Sequence, residues 1–261
     1  MKNQQKISQI KIKKKDIEIL TIGDFSNKVP VLILLHEGLG SVSMWRDIPQ
    51  LIHEITDLNI LVYSRFGYGQ SSLIDLPRPL NYMTIEAKNY LPLIIKELNI
   101  GKHFLIGHSD GATIAAINCS LNLNPNLKGA ALIAPHFFVE NESISAIKKI
   151  TDEYKKGDLK LKLSRYHKNV DVAFYGWSNA WLDPGFKNWN LTDLIPNIKV
   201  PIIGIQGLND PYGTIEQLEI LKHKLKVPFI QKTISNCGHN PFYKYEKITI
   251  EYLNNFFKNL I

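Results

Sequence analysis

Five short, almost purely apolar runs constrain this chain more than any other feature. They are Val31–Leu35 and the stretches 59–64, 103–107, 128–134 and 201–206. An apolar run without polar alternation is the pattern of a strand buried on both faces. A further strand candidate is Phe229–Ile234, and 7–12 and 17–22 read as two strands joined by a lysine-rich turn. Helical periodicity fills the spaces at 44–56, 83–98, 113–121, 214–225 and 243–260. Strands alternating with helices predict an α/β fold: a mostly parallel sheet with helices on both faces. One stretch breaks the alternation. Residues 135–197 show helix-like, aromatic-rich sequence without a buried strand, including three of the four tryptophans, Trp177, Trp181 and Trp189. The expected organisation is a core in two parts, 1–134 and 198–261, interrupted by a helical cap at 135–197. The cap's aromatics form either its own small core or the wall of a pocket.

Composition removes several function classes. With 261 residues, 44% of them apolar, there is material for one large α/β domain, and a disordered chain is excluded. Two cysteines, Cys119 and Cys237, exclude a disulfide scaffold and a four-cysteine zinc site. No apolar run approaches the roughly 20 residues of a spanning helix, and the lysines at the start are not followed by the apolar segment of a secretory signal. The expectation is a cytoplasmic protein without a membrane partner. Six of the seven net positive charges lie within residues 1–15, as Lys2, Lys6, Lys11, Lys13, Lys14 and Lys15. A nucleic-acid protein spreads its basic residues over a working face, whereas lysines on one edge strand suppress edge-to-edge association. No nucleic-acid partner is expected, and nothing indicates an oligomeric state.

The chemistry concentrates in Gly107-His108-Ser109-Asp110-Gly111, which follows a buried run and opens a helical pattern. Strand, Gly-x-Ser-x-Gly and helix together describe a nucleophile elbow, with Ser109 exposed on a tight turn. A serine hydroxyl needs a base, and the base needs a group to orient it. In this architecture acid and base follow the serine in that order. Asp210 comes just after the run 201–206, and His239 just after Phe229–Ile234. Each also has a plainer reading, Asp210 as the cap of an Asn-Asp-Pro turn and His239 as a loop histidine. An oxyanion needs two N–H donors. Asp110, next to the nucleophile, supplies one. The early loop His36-Glu37-Gly38-Leu39-Gly40 supplies the other, with Gly38 the first choice and Leu39 the reserve. His36 is expected to pin this loop. No metal and no organic cofactor is required.

These segments resemble the α/β-hydrolase superfamily of serine esterases, thioesterases and carbon–carbon bond hydrolases. The resemblance spans nearly the whole chain: the His36 loop, Tyr63-Ser-Arg65-Phe-Gly67-Tyr-Gly69-Gln-Ser71, the elbow, the inserted cap and both downstream loops. It implies the α/β-hydrolase fold. It departs at Glu37, where the family has glycine. Ser109-Asp110-Gly111 is similar to the elbow of the valacyclovir hydrolase-like (biphenyl hydrolase-like) branch, in which the acid after the serine helps bind an α-ammonium group. The resemblance implies a carboxylic ester, thioester or activated-amide hydrolase acting on a small, partly apolar acyl group. Glu37, Leu39, His136, Trp177 and Trp181 are the expected substrate contacts. Asp110 and Glu37 also admit structural roles, the first as an acid in a helix's first turn, the second as a ligand of a loop amide or of Arg65. The alternatives are a carbon–carbon hydrolase of ring-fission dienoates, which needs an arginine near the site, and a ligand-binding protein that has lost turnover.

Overall fold

A computed structural model describes residues 5–26 and 28–261. Lys2 lies outside the described residues. The strands are β1 (Lys6–Ile12), β2 (Lys15–Ile22), β3 (Val31–Leu35), β4 (Asn59–Tyr63), β5 (His103–His108), β6 (Leu127–Ile133), β7 (Ile202–Gly207) and β8 (Phe229–Ile234). They form one sheet in the order β1-β2-β4-β3-β5-β6-β7-β8. The β1–β2 and β2–β4 pairings are antiparallel and all others parallel. The β1–β2 hairpin turns on Lys13 and Lys14, both at positive φ (47° and 67°), the handedness that suits the twist of a two-residue hairpin.

The helices are α1 (Ile48–Thr56), α2 (Tyr82–Ile85), α3 (Leu91–Glu97), α4 (Asp110–Leu121), α5 (Asn141–Lys156), α6 (Leu159–Leu163), α7 (Val170–Leu182), α8 (Glu216–Lys224) and α9 (Glu246–Lys258). A π-turn at Glu86–Tyr90 joins α2 to α3. The expected helix at 44–56 is instead a 3-10 turn, Val42–Trp45, followed by α1. The break falls where Pro49 enters, which suits a helix's first turn and not its interior.

Alternation along the strands creates two cores. Ile33, Leu35, Leu61, Leu105 and Leu132 pack with α3, α4 and α8, while Leu32, Leu34, Ile60, Ile106 and Ile205 pack with α1 and α9. Between β6 and β7 the chain runs through α5, α6 and α7 and contributes no strand to the sheet. Chain order reverses at the β3–β5 pair, since β4 follows β3 on one side while β5 lies on the other. At such a switch point the loops beyond the strand ends part and leave a crevice for ligands. Leu35 is registered with Gly107, so the His36 loop and the Ser109 turn emerge side by side. Among the described residues no helix is long and apolar enough to cross a membrane.

Candidate active site

Ser109 joins β5 to α4 in a strained backbone conformation, φ 55° and ψ −120°. A non-glycine residue there costs about 1–3 kcal/mol and persists only where the surroundings enforce it. The surroundings here are two glycines. A Cβ on Gly107 would lie 2.3 Å from the Gly111 carbonyl oxygen, and one on Gly111 would lie 2.0 Å from that of Leu35. Both positions must therefore be glycine for the turn to close against β3.

The acid and base loops are locked to each other. Asn209 N–H donates to the Cys237 carbonyl at 2.8 Å, and a Cβ on Gly207 would lie 2.4 Å from that same oxygen. This contact delivers Asp210 to His239, whose Nδ1–H donates to Asp210 Oδ2 at 2.7 Å. The Asp210 oxygens also accept from Tyr212 N–H and Gln206 Nε2, each at 2.8 Å. Burial pushes the Asp210 carboxyl up. The His239 imidazole, its hydrogen bond and the Tyr212 amide outweigh burial and hold it below the usual range. Ser109 and His239 line one cavity. Ser109 Oγ lies 3.5 Å from a second imidazole nitrogen, His136 Nε2.

The loop after β3 is clamped from behind. His36 Nδ1–H donates to the Glu37 carbonyl at 2.7 Å, and His36 Nε2 accepts from Arg65 N–H at 3.1 Å. The Arg65 guanidinium donates to the His36 carbonyl and, at 2.9 Å, to the Glu37 carbonyl. Burial, then the Arg65 charge, pushes the His36 imidazole well below its ordinary value, so it stays neutral in this tautomer. With the Glu37 carbonyl fixed toward Arg65, the trans peptide turns Gly38 N–H the opposite way. Gly38 itself lies against Trp177, whose Nε1 would sit 2.2 Å from an added Cβ.

The two carboxylates take different partners from those expected. Arg65 binds the backbone of Glu37, not its side chain. The Glu37 carboxylate instead faces His108, with Oε2 3.7 Å from Nδ1. Burial pushes this acid up, but His108 more than offsets it and the net direction is down. His108, pushed down by burial, is raised by Glu37, and its Nε2–H donates to the His239 carbonyl at 2.9 Å. Asp110 is fully buried. Its carboxylate accepts from Tyr82 Oη–H and, at 3.3 Å, from Trp181 Nε1–H, and burial pushes it up. Both oxygens are thus engaged within the protein, while its backbone N–H heads α4.

A cavity of ≈ 320 Å³ opens over Ser109, within the size range of small-molecule sites. Glu37, Gly38, Leu39, Asp110, His136, Trp177, Trp181 and His239 all line it. The sequence reading missed most of its apolar wall: Ile147, Ile150, Leu159 and Leu163 from α5 and α6, and Met44 from the core. Their signal was available as apolar residues three or four apart amid lysines. No lysine or arginine among the described residues lines the cavity.

Comparison with known proteins agrees with this architecture. A family model described as the alpha/beta hydrolase fold matches residues 30–175. The chain is 24% identical to a proline iminopeptidase of Lactobacillus acidophilus, covering 85% of this chain and 87% of that one. The enol-lactonase of Burkholderia xenovorans is a structural neighbour with TM-score 0.76 and 15% identity, covering 96% of this chain and 100% of the lactonase. The naproxen esterase of Bacillus subtilis aligns with TM-score 0.75 and 17% identity, covering 98% and 92%. With its sheet order, its Ser109 turn and a family match over more than half its length, the chain belongs to the α/β-hydrolase fold family and is a hydrolase.

Proposed function

We propose that the protein is a serine hydrolase that cleaves carboxylic esters, or thioesters and activated amides, of a small, largely apolar acyl group through an acyl-enzyme. The observation that carries this reading is Ser109 opening into a cavity of mostly apolar cap and core side chains that, among the described residues, includes no lysine or arginine. Ser109 Oγ attacks the acyl carbon and its proton passes to His239. Asp210 holds His239 in the tautomer with Nδ1 protonated, so that Nε2 is the base. Gly38 and Asp110 N–H groups receive the oxyanion. His239 then protonates the leaving group, and water releases the acyl group by the same steps. Residues 135–197 act as a cap whose Trp177, Trp181 and α5–α6 apolar residues set acyl preference. The two free, buried thiols, Cys119 and Cys237, fit a reducing cytoplasmic setting.

A second reading is hydrolysis of aminoacyl substrates. It is favoured by the Glu37 carboxylate in the cavity wall and by the similarity to a proline iminopeptidase. A dienoate carbon–carbon hydrolase is disfavoured, because Arg65 directs its donors to the His36 and Glu37 carbonyls instead of the cavity. Labelling with a fluorophosphonate tests the nucleophile. Wild type reacts and Ser109→Ala does not; an unlabelled, folded wild type overturns the serine mechanism. Comparing kcat/KM over p-nitrophenyl acyl esters, amino esters, prolyl amides and dienoates then separates the substrate readings.

A further inference from the structure

We propose that His136 is a fixed, neutral hydrogen-bond donor to the Ser109 hydroxyl, a second imidazole at the reacting centre that never takes the proton. The inference rests on Ser109 being the nucleophile. His136 follows β6 after a sharp turn in which Ala134 adopts a positive φ of 48°, and that turn carries the chain back over the Ser109 elbow. Its backbone is clasped to α4. His136 N–H donates to Thr113 Oγ1 at 3.1 Å, and Thr113 Oγ1–H donates to the His136 carbonyl at 2.8 Å. The Trp181 ring meets the imidazole edge-on, with centroids 5.1 Å apart. His136 is 3% exposed, and its Nε2 lies 3.5 Å from Ser109 Oγ.

The other ring nitrogen decides the proton's place. Nδ1 is buried with no hydrogen-bond partner, and it lies beside Gly213, where an added Cβ would approach it to 3.4 Å. A buried N–H without an acceptor is rarer and costlier than a buried lone pair without a donor. The neutral ring therefore keeps its proton on Nε2 and points it at Ser109 Oγ. The opposite tautomer would orphan a donor at Nδ1 and draw the serine proton toward His136, away from His239. The charged and titratable groups around the ring include His239, Asp210 and His108, and the Glu140 carboxylate borders the same Gly213 as Nδ1 but is taken up by Thr214 and Gln217. Burial, then His239, pushes the His136 imidazole down to about 3, with Asp210 opposing, so it stays uncharged wherever His239 is cycling.

The consequence runs through both half-reactions. As the bond from Oγ to the acyl carbon forms, the Oγ proton moves to His239 Nε2, and the His136 N–H stays in place to hold the attacking oxygen. In deacylation, the water oxygen bonds to the acyl carbon as water gives a proton to His239, and the resulting tetrahedral intermediate then collapses with cleavage of the bond between the acyl carbon and Oγ. Oγ recovers its proton from His239, and the His136 N–H stabilises the charge that builds on the departing oxygen. His136 is thus expected to act on the oxygen, whereas His239 carries the proton.

Two measurements test this. Two-bond proton–nitrogen NMR of the full-length enzyme with 15N-labelled histidine, assigned through His136→Gln, is expected to show Nε2–H and a neutral ring from pH 5 to 9. An Nδ1–H tautomer, or protonation in that window, overturns the proposal. His136→Phe keeps the ring's bulk without the donor, and His136→Gln keeps an N–H near the Nε2 position. The expected result is about a tenfold loss of p-nitrophenyl ester kcat/KM for Phe, the size of one hydrogen bond, with Gln within about threefold of wild type and the pH profile unmoved in both. Equal rates for folded Phe and Gln variants overturn it. Failure of fluorophosphonate to label wild type sinks the serine mechanism itself, whereas labelling with equal Phe and Gln rates sinks only the role of His136.

Discussion

Arg65→Met separates the clamp behind the proposed oxyanion loop from the chemistry in front of it. Arg65 is 1% exposed and donates to two carbonyls, His36 O and Glu37 O. Methionine fills a similar volume with no donor. Hydrogen bonds from a charged group contribute about 1.5–3 kcal/mol each. Arg65 is also a nearby cation for the buried acids Asp110 and Glu86, and removing one partner of buried charges typically costs about 3–5 kcal/mol. A chain of this size should then melt about 10–15 °C lower. The catalytic effect arises separately. Without Arg65 the Glu37 carbonyl keeps only the local His36 Nδ1–H and Gly40 N–H, at 2.7 and 3.1 Å, and the charged clamp that aims Gly38 N–H from behind is lost. Losing one oxyanion donor lowers kcat about 10²–10³-fold. Thermal melts by circular dichroism and steady-state kinetics on a p-nitrophenyl ester read the two effects apart. Arg65→Lys, able to reach one carbonyl, should fall between. A folded Arg65→Met enzyme with kcat within a few-fold of wild type refutes the argument that the clamp aims Gly38.

Asp210→Asn should fold normally but lose about 10³–10⁴-fold in kcat at neutral pH, because an amide no longer fixes His239 with Nδ1 protonated; steady-state kinetics beside wild type check it. Gly111→Ala places a methyl 2.0 Å from the Leu35 carbonyl oxygen, and urea titration should show a loss of several kcal/mol or no folded protein. Glu86, 4% exposed, is pushed up to about 7 by burial against the pull of Arg65 and Arg78. Unfolded, it ionises near ~4.3, so the native state holds the extra proton between those values and stability falls as pH rises from about 4.3 to about 7. Glu86→Gln should flatten that fall and gain about 3–4 kcal/mol at pH 8, measured by urea unfolding at pH 5 and 8.

The sheet was legible because its central strands are buried on both faces, and double burial writes itself as unbroken apolar sequence. β3 begins and ends where its apolar run does, β8 matches the candidate at Phe229–Ile234, and the other strands shift by a residue or two. Ser109, Asp210 and His239 were legible for another reason: each follows a strand end, and the parallel sheet carries all strand ends to one edge. Side-chain partners were not legible. Asp110 could be read as an acid in a helix's first turn, yet Tyr82 and Trp181, 28 and 71 residues away, claim its oxygens. The cavity wall was hidden by its neighbours. Ile147 and Ile150 face inward from a helix whose adjacent Lys148 and Lys149 are exposed, so composition along the chain masked a periodicity that only the helix face resolves.

Glu37 shows how one departure from a family pattern is absorbed. A carboxylate stands in place of a glycine beside Ser109, where an unpaired charge would be costly to bury. Gly40 leaves room for it: an added Cβ there would lie 2.5 Å from Glu37 Oε2. The side chain folds back and meets His108, the residue before Ser109. His108 then binds the backbone of His239. A single imidazole thereby joins the loops that follow β3, β5 and β8, which carry the proposed oxyanion donor, nucleophile and base. The pairing leaves the Glu37 carboxylate already engaged where it borders the cavity. An ammonium group entering the cavity meets a carboxylate already engaged, so any preference for amino esters is limited by what Glu37 gives up at His108. Its strength is therefore tied to the integrity of the elbow, and in the proposed reaction substrate selection and catalytic geometry share one contact, that of Glu37 with His108.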